Sequence, residues 1–256
     1  MFRSLVILFV FPAIQLHAAQ EARKLPAKEA GVRAVVQAIA MEAAEVQRLP
    51  AKERPVADAI TDAYVRAAAT AAVQLDEAVR VPAFLIGLGI GLDDSTILSA
   101  NPLTKKLCAA VENIDERKAR IKNLGSPTIH KRRDLCQHFA VSVALTEILG
   151  SGLAELAGVS KELSDMKGTS GFSFADLCVD LAGIEFATRV QKTPAMLEKL
   201  AKEFTVSDYA PDIDGLREDL NEATFKKDYG SVDDPRYKDQ VVDLRKRVAA
   251  VKGYGK

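Results

Sequence analysis

Of the histidines in this 256-residue chain, His138 stands where an imidazole could do chemistry. It lies in Arg132-Arg133-Asp134-Leu135-Cys136-Gln137-His138-Phe139, with Asp134 four residues ahead. Residues four apart share a face of a helix, so Asp134 could orient the ring and make His138 a general base. Two acidic pairs follow. Glu162 and Asp165 lie one turn apart beside Lys161, and Asp176 and Asp180 share a face in Ser173-Phe174-Ala175-Asp176-Leu177-Cys178-Val179-Asp180. Asp180 is embedded among apolar residues, where an unpaired carboxylate is costly and needs a cation, a donor or a metal.

One imidazole with several carboxylates suits zinc, manganese or iron, and facing helices are a common place to build such a set. The expectation is that helices starting near Asp134, Ser160 and Ser173 converge. His138, Glu162, Asp165, Asp176 and Asp180 would then be the metal ligands, with Asp134 behind His138. A bound ion could activate water for hydrolysis. Each residue also has a structural reading. Ser173 with Asp176 suits a capping box, and Asp134 with Gln137 a second cap. Lys161 can neutralise Asp165, and the whole set can close into a buried hydrogen-bonded network that fixes helix packing. Donors converging in an open pocket favour a site, and a sealed cluster with every carboxylate partnered favours the network.

Other catalytic patterns fall away. Gly171-Phe172-Ser173-Phe174-Ala175 ends in Ala where a nucleophile elbow needs Gly, and no strand precedes it. Gly87, Gly89 and Gly91 do not form a dinucleotide fingerprint. Cys108, Cys136 and Cys178 contain no CxxC pair, which excludes a zinc ribbon. Cys136 and Cys178 sit among apolar helical neighbours and read as buried packing residues, with a disulfide between them as the alternative.

The elements that must position these groups are helical. Val32, Val35, Val36, Ile39, Ala43 and Val46 form one stripe, ended by Leu49-Pro50. Pro55 would start a second helix with the stripe Val56, Ile60, Tyr64, Ala67, Ala71 and Leu75. Pro82 would open a buried helix through Leu92, its glycines at close contacts. Asp234 and Pro235 start a last helix with Tyr237, Val241, Leu244, Val248 and Val251 inward. No stretch alternates like a strand. The fold class is all-α, a multi-helix bundle-like domain at 32–193 with a charged helical region at 194–256.

Lys and Arg total 35, as do Asp and Glu, so the chain lacks the basic excess of a nucleic-acid binder. Met1-Phe2-Arg3, an apolar run to Leu16 and His17-Ala18-Ala19 have the layout of a cleaved signal. The reading is a signal peptide at 1–18, a loose leader at 19–31, and a periplasmic or secreted product with no transmembrane span after the signal. Partners would be an envelope lipid, glycan or protein.

The string Asp134-x-x-x-His138-Phe139, Lys161-Glu162-x-x-Asp165, Ser173-x-x-Asp176-Leu177-x-x-Asp180-x-x-Gly183 resembles motifs of exported bacterial proteins of unassigned activity. It is also distantly similar to VanZ-like and YfiM-type envelope proteins. The resemblance covers about a fifth of the chain and implies a cell-envelope setting, with these six polar residues acting as one unit. VanZ-like proteins span the membrane, and here the chain departs from them.

Overall fold

The computed structural model describes residues 26–166 and 170–254. The signal and most of the leader therefore lie outside the described residues. Thirteen α-helices carry the described fold: α1 (Ala27–Arg48), α2 (Asp58–Val73), α3 (Glu77–Leu92), α4 (Ile97–Ala100), α5 (Lys105–Val111), α6 (Ile114–Leu124), α7 (Arg133–Leu149), α8 (Ser151–Asp165), α9 (Phe174–Lys192), α10 (Met196–Glu203), α11 (Val206–Tyr209), α12 (Glu222–Tyr229) and α13 (Pro235–Ala249). Among the described residues there is no strand, only isolated bridges at Ile129–Arg132 and Phe172–Leu220. No described helix is long and apolar enough to cross a membrane.

The long helices pack as a row. α3 lies between α1 and α7, α7 between α3 and α9, and α13 closes the far side of α9, while α8 crosses over α7 and α9. Burial explains the order. α3 buries every residue from Ala83 to Leu92, because α1 covers one side and α7 the other. Its glycines permit the close approach. A methyl at Gly87 would overlap Val35 of α1, and one at Gly89 would overlap Ala144 of α7.

The helix bounds correct several sequence expectations. α1 begins at Ala27, so the last five residues of the expected leader are helical. α2 begins at Asp58, not Pro55, and its buried face is Thr61, Tyr64, Val65, Ala68, Ala69 and Ala72, with Val56 72% exposed. Pro82 lies inside α3 and does not open it; Asp76 stands at the N-cap position and its carbonyl accepts the Val79 and Arg80 amides. Tertiary burial on both sides offsets the one helical hydrogen bond that proline removes. α13 is built as its sequence predicts, with Asp234 accepting the Arg236 amide and Pro235 in the first turn. The three cysteines are free and buried. Burial pushes the Cys136 and Cys178 thiols up to about 12 and that of Cys108 to about 11, so all three pack as neutral thiols.

Candidate metal centre

Three helices bring the polar residues together. α7 presents His138 and, one turn later, Ser142. α8 presents Glu162, which is 0% exposed. α9 presents Asp176 in its first turn and Asp180 one turn on. The start of α9 fixes its two aspartates. Ser173 caps the helix by accepting the Asp176 amide at 3.1 Å, and its own amide donates to Glu162 Oε2 at 3.0 Å. The expected capping box is thus completed from a neighbouring helix, and the same bond ties α8 to α9.

The imidazole has two distinct sides. His138 Nδ1 is 3.1 Å from Asp180 Oδ1, which also accepts the Ser142 hydroxyl at 2.7 Å. Nε2 faces Asp176 Oδ2 at 3.4 Å, longer than an ordinary N–H···O bond. Ligand atoms of His138, Glu162 and Asp176 all lie within 4.8 Å of one another, the one such group among the described residues. Three atoms so spaced leave a point no more than about 2.8 Å from each, against roughly 2.0–2.2 Å for bonds to zinc. Two donors on one tetrahedral zinc stand about 3.3 Å apart, close to the Nε2–Oδ2 separation.

Charge accumulates around this ring. Burial works against an imidazolium, but the charge and hydrogen bond of Asp180 and the charge of Asp176 outweigh it, so His138 is pushed up to about 9. Burial raises Glu162, opposed by Lys161 and the Ser173 amide, and Asp176 next adds to the rise. It likewise raises Asp176, opposed by His138 and Arg132. The remaining carboxylate oxygens meet protein donors. Lys161 reaches Glu162 Oε1 at 3.2 Å, and Arg132 reaches Asp176 Oδ1 at 3.1 Å and Glu218 at 2.5 Å. Asp180 Oδ2 alone among these oxygens is buried with no hydrogen-bond partner.

The expected ligands divide. His138, Glu162 and Asp176 share one side of the ring. Asp180 sits on the other, where it orients the ring and is not grouped with the Nε2 ligands. Asp134 does not orient His138; its half-exposed carboxylate pairs with Arg132 at 2.5 Å, and although burial raises it, the bond and charge of Arg132 and the backbone donors outweigh that and leave it below its usual range. The Arg132 guanidinium at the helix start is nearer, and it wins over a ring four residues on that Asp180 and Asp176 already hold. Asp165 is likewise outside the centre, paired with Lys161 at 2.7 Å. Sequence reading missed Ser142, Arg132 and Glu218. Ser142 carried a signal, a hydroxyl one turn beyond His138 in an apolar run; Glu218 carried none.

The centre is closed to large molecules. The His138 side chain is 7% and that of Asp176 14% exposed. A groove of about 610 Å³ lined by Cys108, Glu112, Ile114 and Arg117, and a hollow of about 150 Å³ at Leu181, Ile184 and Arg245, both lie away from it. Comparison with protein-family models, curated proteins and solved structures finds no match, so the resemblance of the 134–183 motifs stands on those motifs alone.

Proposed function

We propose that this chain is an exported helical protein of the cell envelope whose His138, Glu162 and Asp176 bind one divalent cation in a structural role. The observation that carries this reading is the two-sided setting of the imidazole. Asp180 holds Nδ1, as a carboxylate commonly holds a ligating histidine, Nε2 faces Asp176, and Glu162 lies close enough to complete a group of three donors. One nitrogen with two carboxylates suits zinc or manganese. The ion would join α7, α8 and α9 at a point where the carboxylates outnumber the imidazole. The burial favours a structural ion over a hydrolytic one, because an envelope polymer has no approach to it. Export rests on the signal-like 1–18 segment, and the envelope partner, a lipid, glycan or protein, would be met at the outer surface.

A second reading, a closed ionic network without metal, is favoured by the donors that Glu162 and Asp176 already have in Lys161, Ser173, Arg132 and His138. Metal content of the purified chain, measured by mass spectrometry after reconstitution with zinc or manganese, separates the two. Near-stoichiometric metal that His138→Ala abolishes supports the cation. Folded protein that takes up neither ion leaves the network.

A further inference from the structure

The helix that covers this centre is turned the unusual way. α8 buries Ala154 and Glu162, while Leu153 and Leu156 are 55% and 61% exposed. α13, by contrast, buries Tyr237, Leu244 and Val248. A surface helix normally adheres through its large apolar residues, and α8 packs Ala157, Val159 and Leu163 partly against the core while its two large leucines at 153 and 156 face outward. Polar anchors do more of the holding. Glu155 takes two bonds from Arg245 of α13, both 2.6 Å, and Glu162 takes the Ser173 amide of α9.

What α8 covers is not fully satisfied. Asp180 Oδ2, on a side chain 5% exposed, lies directly beneath Gly158, where an added Cβ would stand 2.8 Å from it. The Tyr237 hydroxyl is also buried without a partner; burial, then the charges of Glu155 and Glu162 on α8, push it up to about 12. Asp180 Oδ2 would gain water if α8 moved away, which removes a desolvation cost of the closed form. An outward-facing apolar pair and an unsatisfied carboxylate oxygen beneath mark an element of low local stability.

We infer that α8 is a latch closed by the cation: Glu162 is its one ligand in the centre, so an ion held by His138 and Asp176 fastens α8 over Asp180, and loss of the ion frees it. This rests on the cation reading above. His138 and Asp176 belong to α7 and α9, which are packed together independently of α8. An ion that needs Glu162 as a third ligand must favour the closed form by the same factor by which closure favours the ion. Cation supply thereby sets whether the face of α7 and α9 under α8 is covered or open.

The test is hydrogen exchange on the whole chain, first stripped with a chelator and then saturated with zinc, with metal content measured on the same samples. In the stripped protein α8 exchanges faster than α7 and α9, and zinc slows it about tenfold, within the usual range of such coupling, while α1 and α3 are unchanged. Glu162→Gln keeps an oxygen for the Ser173 amide and so keeps the fold. It loses the zinc-dependent slowing of α8 even where zinc is bound. Zinc bound without slowing of α8, or α8 already as slow as α7 and α9 when stripped, overturns the latch and leaves the cation reading intact. No zinc bound by the parent chain overturns both.

Discussion

Two buried ionic clusters among the described residues are built to opposite rules. Arg120 of α6, 1% exposed, meets Glu112 with two bonds of 2.9 and 2.6 Å and gives its remaining donors to the carbonyls of Gly91 and Asp93 at the end of α3. Arg117 adds a second guanidinium 3.4 Å from Glu112, and the carbonyls left over at a helix end are satisfied as well. At His138 one imidazole faces Asp180, Asp176 and Glu162, its Nε2 contact is long, and Asp180 Oδ2 has no partner. Short bonds and complete pairing of the carboxylate mark a cluster that only holds the fold together. A long Nε2 contact and an unpartnered carboxylate oxygen beside an oriented imidazole mark one with room for a cation, even with Lys161 and Arg132 on two of its carboxylates.

The contrast can be broken most forcefully at Arg120. Arg120→Ala leaves Glu112 buried with only the 3.4 Å contact of Arg117, and should lower unfolding free energy by roughly 3–5 kcal/mol. A urea midpoint near that of the parent would contradict a structural role. At the second centre the largest effect should be on metal. His138→Ala abolishes stoichiometric zinc, whereas Asp180→Asn, acting through the ring, weakens binding roughly 10–100-fold without abolishing it. Equal loss in both would make Asp180 a ligand after all, readable from zinc titrations against a competing chelator.

The stripped protein should also show the imidazolium. His138 is raised from 6.5 to about 9 in the fold, so its contribution to stability is complete below pH 6.5 and is lost as pH rises through about 9. Melting temperature in a chelating buffer should fall across that window, and His138→Gln should flatten the fall. A parent curve already flat would remove the imidazolium from the centre. The smallest effects belong to the residues that lie outside it. Asp134→Asn and Asp165→Asn should each change stability by no more than about 0.5 kcal/mol and leave zinc affinity untouched. A loss of zinc in either would restore it to the centre.

How much was legible follows from the range of each interaction. Local chemistry was readable: Ser173 and Asp234 as caps and the stripe of α13. Pairing within α7 was read from spacing alone and went astray. Asp134 is four residues from His138, yet the carboxylate that orients the ring is Asp180, 42 residues away. Arg120 and Glu112 carry no local signal of their pairing, because eight residues and a turn between two helices separate them. The rotated face of α2 has the same origin. In an alanine-rich helix many residues are small enough to be inside, and the neighbours choose.

The sequence by itself determined that the chain is helical, the caps at Ser173 and Asp234, and the polar residues worth examining, because each depends on contacts within a few residues. The cap expected of Asp134 with Gln137 does not form, since Arg132 stands at that helix start with no side-chain cap. Tertiary structure alone decided that Glu162 meets the start of α9, that Asp180 takes Nδ1, and that Asp134 and Asp165 are left to Arg132 and Lys161. Helical periodicity defines a face but not the partner of that face. The partner is set by which surfaces can approach closely, and here glycine at 87, 89 and 158 sets that approach.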